Sequence, residues 1–170
     1  MMDWAILQQL QAASVVDTRP APASVTSTPK WSRPVTRECL DVEAKRQSLE
    51  PWRIAAVMKT ENGRVGTFSL NTDGSYDMGP MQINTIHLEE LSRMYRLPTS
   101  TLAQLIAYDG CFNIAVGAYM LRQRTNEVGG DFWYGIGRYH SKTPDKSAKY
   151  ILRVHERMQS IVTSRDVAPH

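Results

Sequence analysis

Residues 71–84 read Asn71-Thr72-Asp73-Gly74-Ser75-Tyr76-Asp77-Met78-Gly79-Pro80-Met81-Gln82-Ile83-Asn84, and this stretch decides the fold. Asp73-Gly74 is a hairpin turn signal, because glycine accepts the positive φ that a tight reversal needs. A second acid, Asp77, follows on the return strand. Gly79 permits close backbone approach, and Gln82 and Asn84 add amide donors and acceptors before a helix opens at Thr85. Upstream, Pro51 suits the first position of a helix, and Trp52, Ile54, Ala55, Val57 and Met58 give it an apolar face. Asn62-Gly63 stops that helix, so Glu61 ends it. A carboxyl there is opposed by the helix dipole, which makes it a poor choice for stability. It is a better choice for chemistry, since desolvation raises its pKa toward the range of a general acid. Polar groups converging beside one isolated Glu make a sugar-binding cleft.

Outside this stretch the apolar spacing is helical over 39–49, 85–95, 98–107, 111–124, 131–139 and 145–162. In 85–95, Ile86, Leu88, Leu91 and Met94 fall on one side, and in 111–124 Ile114, Gly117, Ala118 and Leu121 recur at core spacing. The expected fold is mostly α with one small hairpin. Residues 1–37 differ: the region from Ser14 to Pro34 is rich in Pro, Ser, Thr and Ala, and its prolines remove backbone donors. They read as a flexible segment, 38–162 as one folded domain and 163–170 as a tail. A length of 170 residues fits one domain. Hydrophobic residues at 42% exclude a wholly disordered chain. No apolar run reaches the roughly 18–20 residues of a membrane span, and the first residues lack the basic and apolar regions of a secretory signal.

A net charge of +3 is too mild to argue for nucleic acid, though it suits a polyanionic surface. Lys142, Lys146 and Lys149 read as a solvated face. His87, His140, His155 and His170 show no HExxH spacing and no GxSxG elbow is present, so neither a metal, another cofactor nor serine-hydrolase chemistry is expected. Cys39 and Cys111 lie too far apart for a CxxC motif. They are two buried thiols in a reducing compartment, or one disulfide in an oxidising one, where closing so long a loop contributes roughly 4 kcal/mol.

Glu61, the run Asp73 to Asn84, Cys111-Phe112-Asn113-Ile114 and Gly137-Arg138-Tyr139-His140 together resemble the ordered motifs of lytic transglycosylases. The resemblance is nearest to the small soluble enzymes associated with conjugation, type IV and type III secretion and pilus assembly, and covers roughly 38–162. It implies a lysozyme-like α+β fold with the hairpin at the cleft, and peptidoglycan glycan strands as substrate. It implies that Glu61 is the single catalytic acid/base, and that Met81, Gln82 and Asn84 lie along the sugar cleft. Tyr139 would hydrogen-bond Glu61 or the substrate, while His140 and Tyr150 would also serve substrate binding. Cys39 and Cys111 match a cysteine pair of that subgroup, which favours the disulfide. Two positions depart from the pattern: Asn62 stands where many members have Ser, and Pro80 replaces the Leu of Gly-Leu-Met-Gln.

The segment 71–84 also resembles c-type lysozymes, where Asp77 would match a second carboxylate. The resulting expectation is an enzyme cutting between N-acetylmuramic acid and N-acetylglucosamine to leave 1,6-anhydro ends. It would act as a monomer in the periplasm or cell envelope, beside a secretion or conjugation apparatus. The alternatives are a hydrolytic muramidase using Glu61 with Asp77, and an inactive peptidoglycan-binding assembly factor.

Overall fold

The computed structural model describes residues 29–166. In chain order it contains α1 (Arg37–Arg46), α2 (Pro51–Glu61), β1 (Phe68–Leu70), β2 (Tyr76–Met78) and β3 (Ile83–Asn84). A 3₁₀ turn (Thr85–His87) follows, then α3 (Leu88–Tyr95), α4 (Thr99–Tyr108), α5 (Gly110–Glu127), α6 (Phe132–His140) and α7 (Pro144–Asp166). The strands form one antiparallel sheet in the order β1-β2-β3. The mostly helical architecture matches expectation, with one strand more than the expected hairpin. β3 is too short to carry a period-2 signal, and its Ile83 and Asn84 pair with Met78 and Asp77.

Local chemistry sets the element ends. The Thr36 hydroxyl caps α1 by accepting from the Cys39 amide at 3.2 Å, so the helix begins before the expected residue 39. It also ends sooner: Ser48 takes a positive φ of 51° and reverses the chain. Pro51 starts α2, and Asn62, at φ 56°, ends it in the left-handed conformation. The expected helix 85–95 is divided, because the Asn84 side chain caps a 3₁₀ turn at the Ile86 amide, 2.9 Å away, before α3 begins. In the hairpin loop Gly74 has φ +83°. The Asp73 carboxylate accepts from the Ser75 amide and hydroxyl at 2.9 and 2.7 Å. Those bonds hold its pKa below the usual carboxylate range.

α5 runs through the centre, packed by α1, α4 and α6, while α2 and α6 pack on α7. Ile54, Val57, Leu102, Ile106, Ile114, Leu121, Ile136 and Tyr150 are essentially fully buried. Each such aliphatic side chain is worth roughly 1.5–3 kcal/mol against exposure. Cys39 and Cys111 form a disulfide, with Cα atoms 5.4 Å apart, that ties α1 to the start of α5.

The described structure extends ahead of the expected domain edge at residue 38. Residues 29–36 lie on the domain because the buried Asp109 requires a partner. Arg33 supplies it through two bonds of 2.9 and 2.7 Å, and Trp31 packs edge-on against Tyr108. At the other end α7 continues past residue 162 to Asp166. Residues 1–28 of the expected flexible segment and 167–170 of the expected tail fall outside the described residues.

Candidate active site

Glu61 closes α2, and α7 passes beside it. Tyr150, itself 1% exposed, donates its hydroxyl to Glu61 Oε1. The Glu61 carboxyl is pushed up to about 7, mainly by loss of hydration on burial. The nearby negative charge of Asp77 raises it further, while the Tyr150 hydrogen bond and the positive charge of Arg153 pull it down. Ionising Glu61 in the folded protein therefore costs stability. The penalty is absent below pH 4.5, grows as the pH rises toward 7, and is complete above that. From 4.5 to about 7 it amounts to roughly 3 kcal/mol. Glu61→Gln should thus be more stable than the parent in urea melts at pH 8 and indistinguishable from it at pH 4.

The other wall of the site is the turn 79–82, held from several directions. Asn113, completely buried on α5, donates its amide to Met78 O and Ile106 O, each at 3.0 Å, and accepts from the Met81 amide at 2.8 Å. Gly79 has φ +67°, and a Cβ there would stand 2.4 Å from the Asn113 amide nitrogen. Gly63 approaches from the end of α2 so closely that a Cβ would meet Gly79 O at 2.1 Å. The α2 terminus carrying Glu61 is thereby locked to the turn.

The expected site residues take differing places. Asp77 lies on β2 opposite Asn84, whose Nδ2 donates to Asp77 Oδ1 at 2.8 Å and to Ser75 Oγ at 3.0 Å. Asn84, expected along the cleft, therefore fixes the second carboxylate with donors already committed. Gln82 is half-buried at φ 49°, and its Nε2 donates to Gly79 O at 2.8 Å. Met81, expected to line the sugar cleft, has its side chain fully enclosed. Its sulfur fills the space above Gly117, where a Cβ would come within 2.4 Å.

Tyr139, expected to reach Glu61 or the substrate, instead donates to Met81 O at 2.9 Å. Its phenol is pushed well above its ordinary pKa, first by burial and then by the charges of Glu61 and Asp77. It is a neutral strut close to both acids, while Tyr150 holds Glu61 directly. His140 stacks on the Tyr150 ring, which covers one face of the imidazole, with centroids 4.4 Å apart and planes 5° from parallel. Burial and the charges of Arg153 and Lys146 lower its pKa.

Two participants had escaped the sequence reading. Asn113 carries no catalytic signature, yet a lone amide among Phe112, Ile114 and Val116 is the sequence sign of a buried hydrogen-bonding hub. Arg153, over the Tyr150 ring at 5.3 Å, gave no signal among the other exposed bases of α7. Among the described residues no cluster of three or more His, Cys, Asp or Glu could hold a metal ion. No described helix is long and apolar enough to cross a membrane.

A carboxyl held protonated at a helix end, a second acid on a nearby strand and a clamped turn make up one candidate site. The chain is similar to several known proteins. It is 26% identical over 129 residues to the invasion protein IagB of Salmonella typhimurium, covering 73% of this chain and 77% of that one. It is 25% identical over 120 residues to protein IpgF of Shigella flexneri, covering 70% and 75%. It is 28% identical over 105 residues to the X polypeptide of Escherichia coli, covering 61% and 59%. The transglycosylase SLT domain model matches residues 38–153, a span holding Glu61, the hairpin, the clamped turn and Tyr150. With that match and this lysozyme-like architecture, the chain belongs to the transglycosylase SLT domain family.

Proposed function

We propose that the protein is a peptidoglycan lytic transglycosylase that cleaves the β-1,4 bond from N-acetylmuramic acid to N-acetylglucosamine, with Glu61 as its single acid and base. The observation that carries this reading is the Glu61 carboxyl raised to about 7 by burial, so that it is largely protonated in mildly acidic to neutral solution. Protonated Glu61 donates to the glycosidic oxygen as the bond to C1 breaks. The acetamido oxygen of the muramic acid stabilises the positive centre, with Asp77 adding negative charge from the side. Glu61, now ionised, takes the proton of the muramic acid 6-hydroxyl as that oxygen bonds to C1. The 1,6-anhydro ring closes, Glu61 is again protonated, and no water is consumed.

Tyr150 orients the carboxyl, and its hydrogen bond favours the ionised form. Tyr139 and Asn113 hold the turn that supports the sugar, and Gln82, Asn84 and His140 border it. Peptidoglycan as substrate puts the work at the cell envelope or periplasm. The reading of a local wall-opening enzyme for a secretion or conjugation apparatus is supported by the resemblance of the motifs and by a relative named for invasion.

The test is the pH profile of glycan cleavage. The rate should fall as the pH rises through about 7, where Glu61 loses its proton. Tyr150→Phe removes the contact that lowers this pKa, so the falling limb should move to higher pH while the rate at its optimum declines. A limb that stays in place, or moves to lower pH, contradicts the assigned roles.

A further inference from the structure

Tyr150 holds the Glu61 carboxyl through its hydroxyl, and that bond must persist while the carboxyl loses and regains a proton in each cycle. Tyr150 keeps its own proton, because burial and the charge of Glu61 raise its pKa. Whatever fixes this ring therefore fixes the acid. Arg153 stands one turn further along α7, so the two side chains share a face. Its guanidinium carbon lies 5.3 Å from the centre of the Tyr150 ring, within the range of a cation–ring attraction. His140 stacks on the same ring. Among the described residues Arg153 is in no ion pair. Lys149 and Arg157 are exposed bases of the same helix, but the positive charge that bears on Glu61 is that of Arg153.

We infer that Arg153 is a positioning residue for the acid: it steadies the Tyr150 ring, and its charge supports the carboxylate that takes up the 6-hydroxyl proton. The inference rests on the single-carboxyl cycle above. In that cycle a buried acid suits the first step and ill suits the second, since burial opposes the charge it must then carry. Arg153 offsets this without a salt bridge that would keep Glu61 ionised throughout. The other groups facing Glu61 are Asp77 on β2, which opposes ionisation, and the neutral Tyr139 on α6. The pKa of His140 is lowered, so it is neutral where Glu61 titrates, and the falling limb of the rate belongs to Glu61.

The test compares Arg153→Gln and Arg153→Lys with the parent, each as the full chain, for cleavage across pH. Arg153→Gln should lower kcat about two- to fivefold, the scale of an exposed cation–ring contact, and leave KM unchanged. It should also move the falling limb up by about half a pH unit. Arg153→Lys keeps the charge and should return the limb to the parent's position. A limb left in place in Arg153→Gln, whether or not the rate falls, would overturn the role. So would a lysine variant that behaves like the glutamine one.

A second measurement needs no turnover. The Glu61 side-chain carboxyl of isotope-labelled protein is titrated by NMR, its signal identified by its absence from Glu61→Gln. The midpoint should rise in Arg153→Gln and stay in place in Arg153→Lys. An unmoved midpoint in Arg153→Gln would overturn the role of Arg153. A midpoint that moves, in a protein whose parent cuts no peptidoglycan, would uphold that role and sink the cleavage reading instead.

Discussion

Glu61→Gln is expected to reduce peptidoglycan cleavage by a thousandfold or more while leaving the fold intact. General acid or base assistance contributes typically 10²–10⁴-fold to a step. In the proposed cycle one carboxyl serves both steps, so its loss removes protonation of the leaving oxygen and deprotonation of the 6-hydroxyl together. Glutamine keeps the size of the side chain and can still accept the Tyr150 hydroxyl. It also removes the cost of an ionised carboxyl at a site where burial opposes charge. Loss of turnover should therefore come with a stability at pH 8 equal to or above the parent's, a combination that misfolding cannot produce. Turnover of muropeptides from isolated cell wall, measured beside a urea melt of the same sample, checks both.

Asn113→Ala is expected to have the largest effect on stability, about 4 kcal/mol or more. The amide satisfies three buried backbone groups, Met78 O, Ile106 O and Met81 N–H. Each loses its partner in the variant, and an unsatisfied buried group costs about 1–3 kcal/mol. The cavity left by the side chain adds to this. Asn113 also joins α4, α5 and the turn 79–82, so weakening it loosens the wall facing Glu61. Denaturant unfolding should show the loss of stability, and cleavage should fall even where the variant remains folded. A loss below about 1 kcal/mol would mean that the turn is held mainly by Tyr139 and the glycine contacts.

Much of this architecture was legible because it rests on local chemistry. Pro51 and Asn62-Gly63 mark both ends of the helix that carries Glu61, and Asp73-Gly74 marks the hairpin. The helices after residue 97 follow from apolar spacing to within a few residues. What was not legible depends on contacts across the chain. Whether Tyr139 or Tyr150 reaches Glu61 is decided by how α6 and α7 pack, and both carry a tyrosine of the same chemistry. The burial of Met81 follows from Gly117, which leaves room for its sulfur. Pro29 to Thr36 look like linker by composition, yet Arg33 is drawn onto the domain by the buried Asp109. β3 owes its pairing to Asp77 and Met78 rather than to any pattern of its own.

The most direct measurement is the mass of the products. The purified chain is incubated with isolated peptidoglycan beside Glu61→Gln, and the soluble muropeptides are identified by mass spectrometry. The account predicts anhydromuramyl ends from the parent and none from the variant. Reducing ends, heavier by one water, would contradict it and make the protein a hydrolase in which Asp77 joins Glu61; no release by the parent would contradict it too, in favour of a binding role.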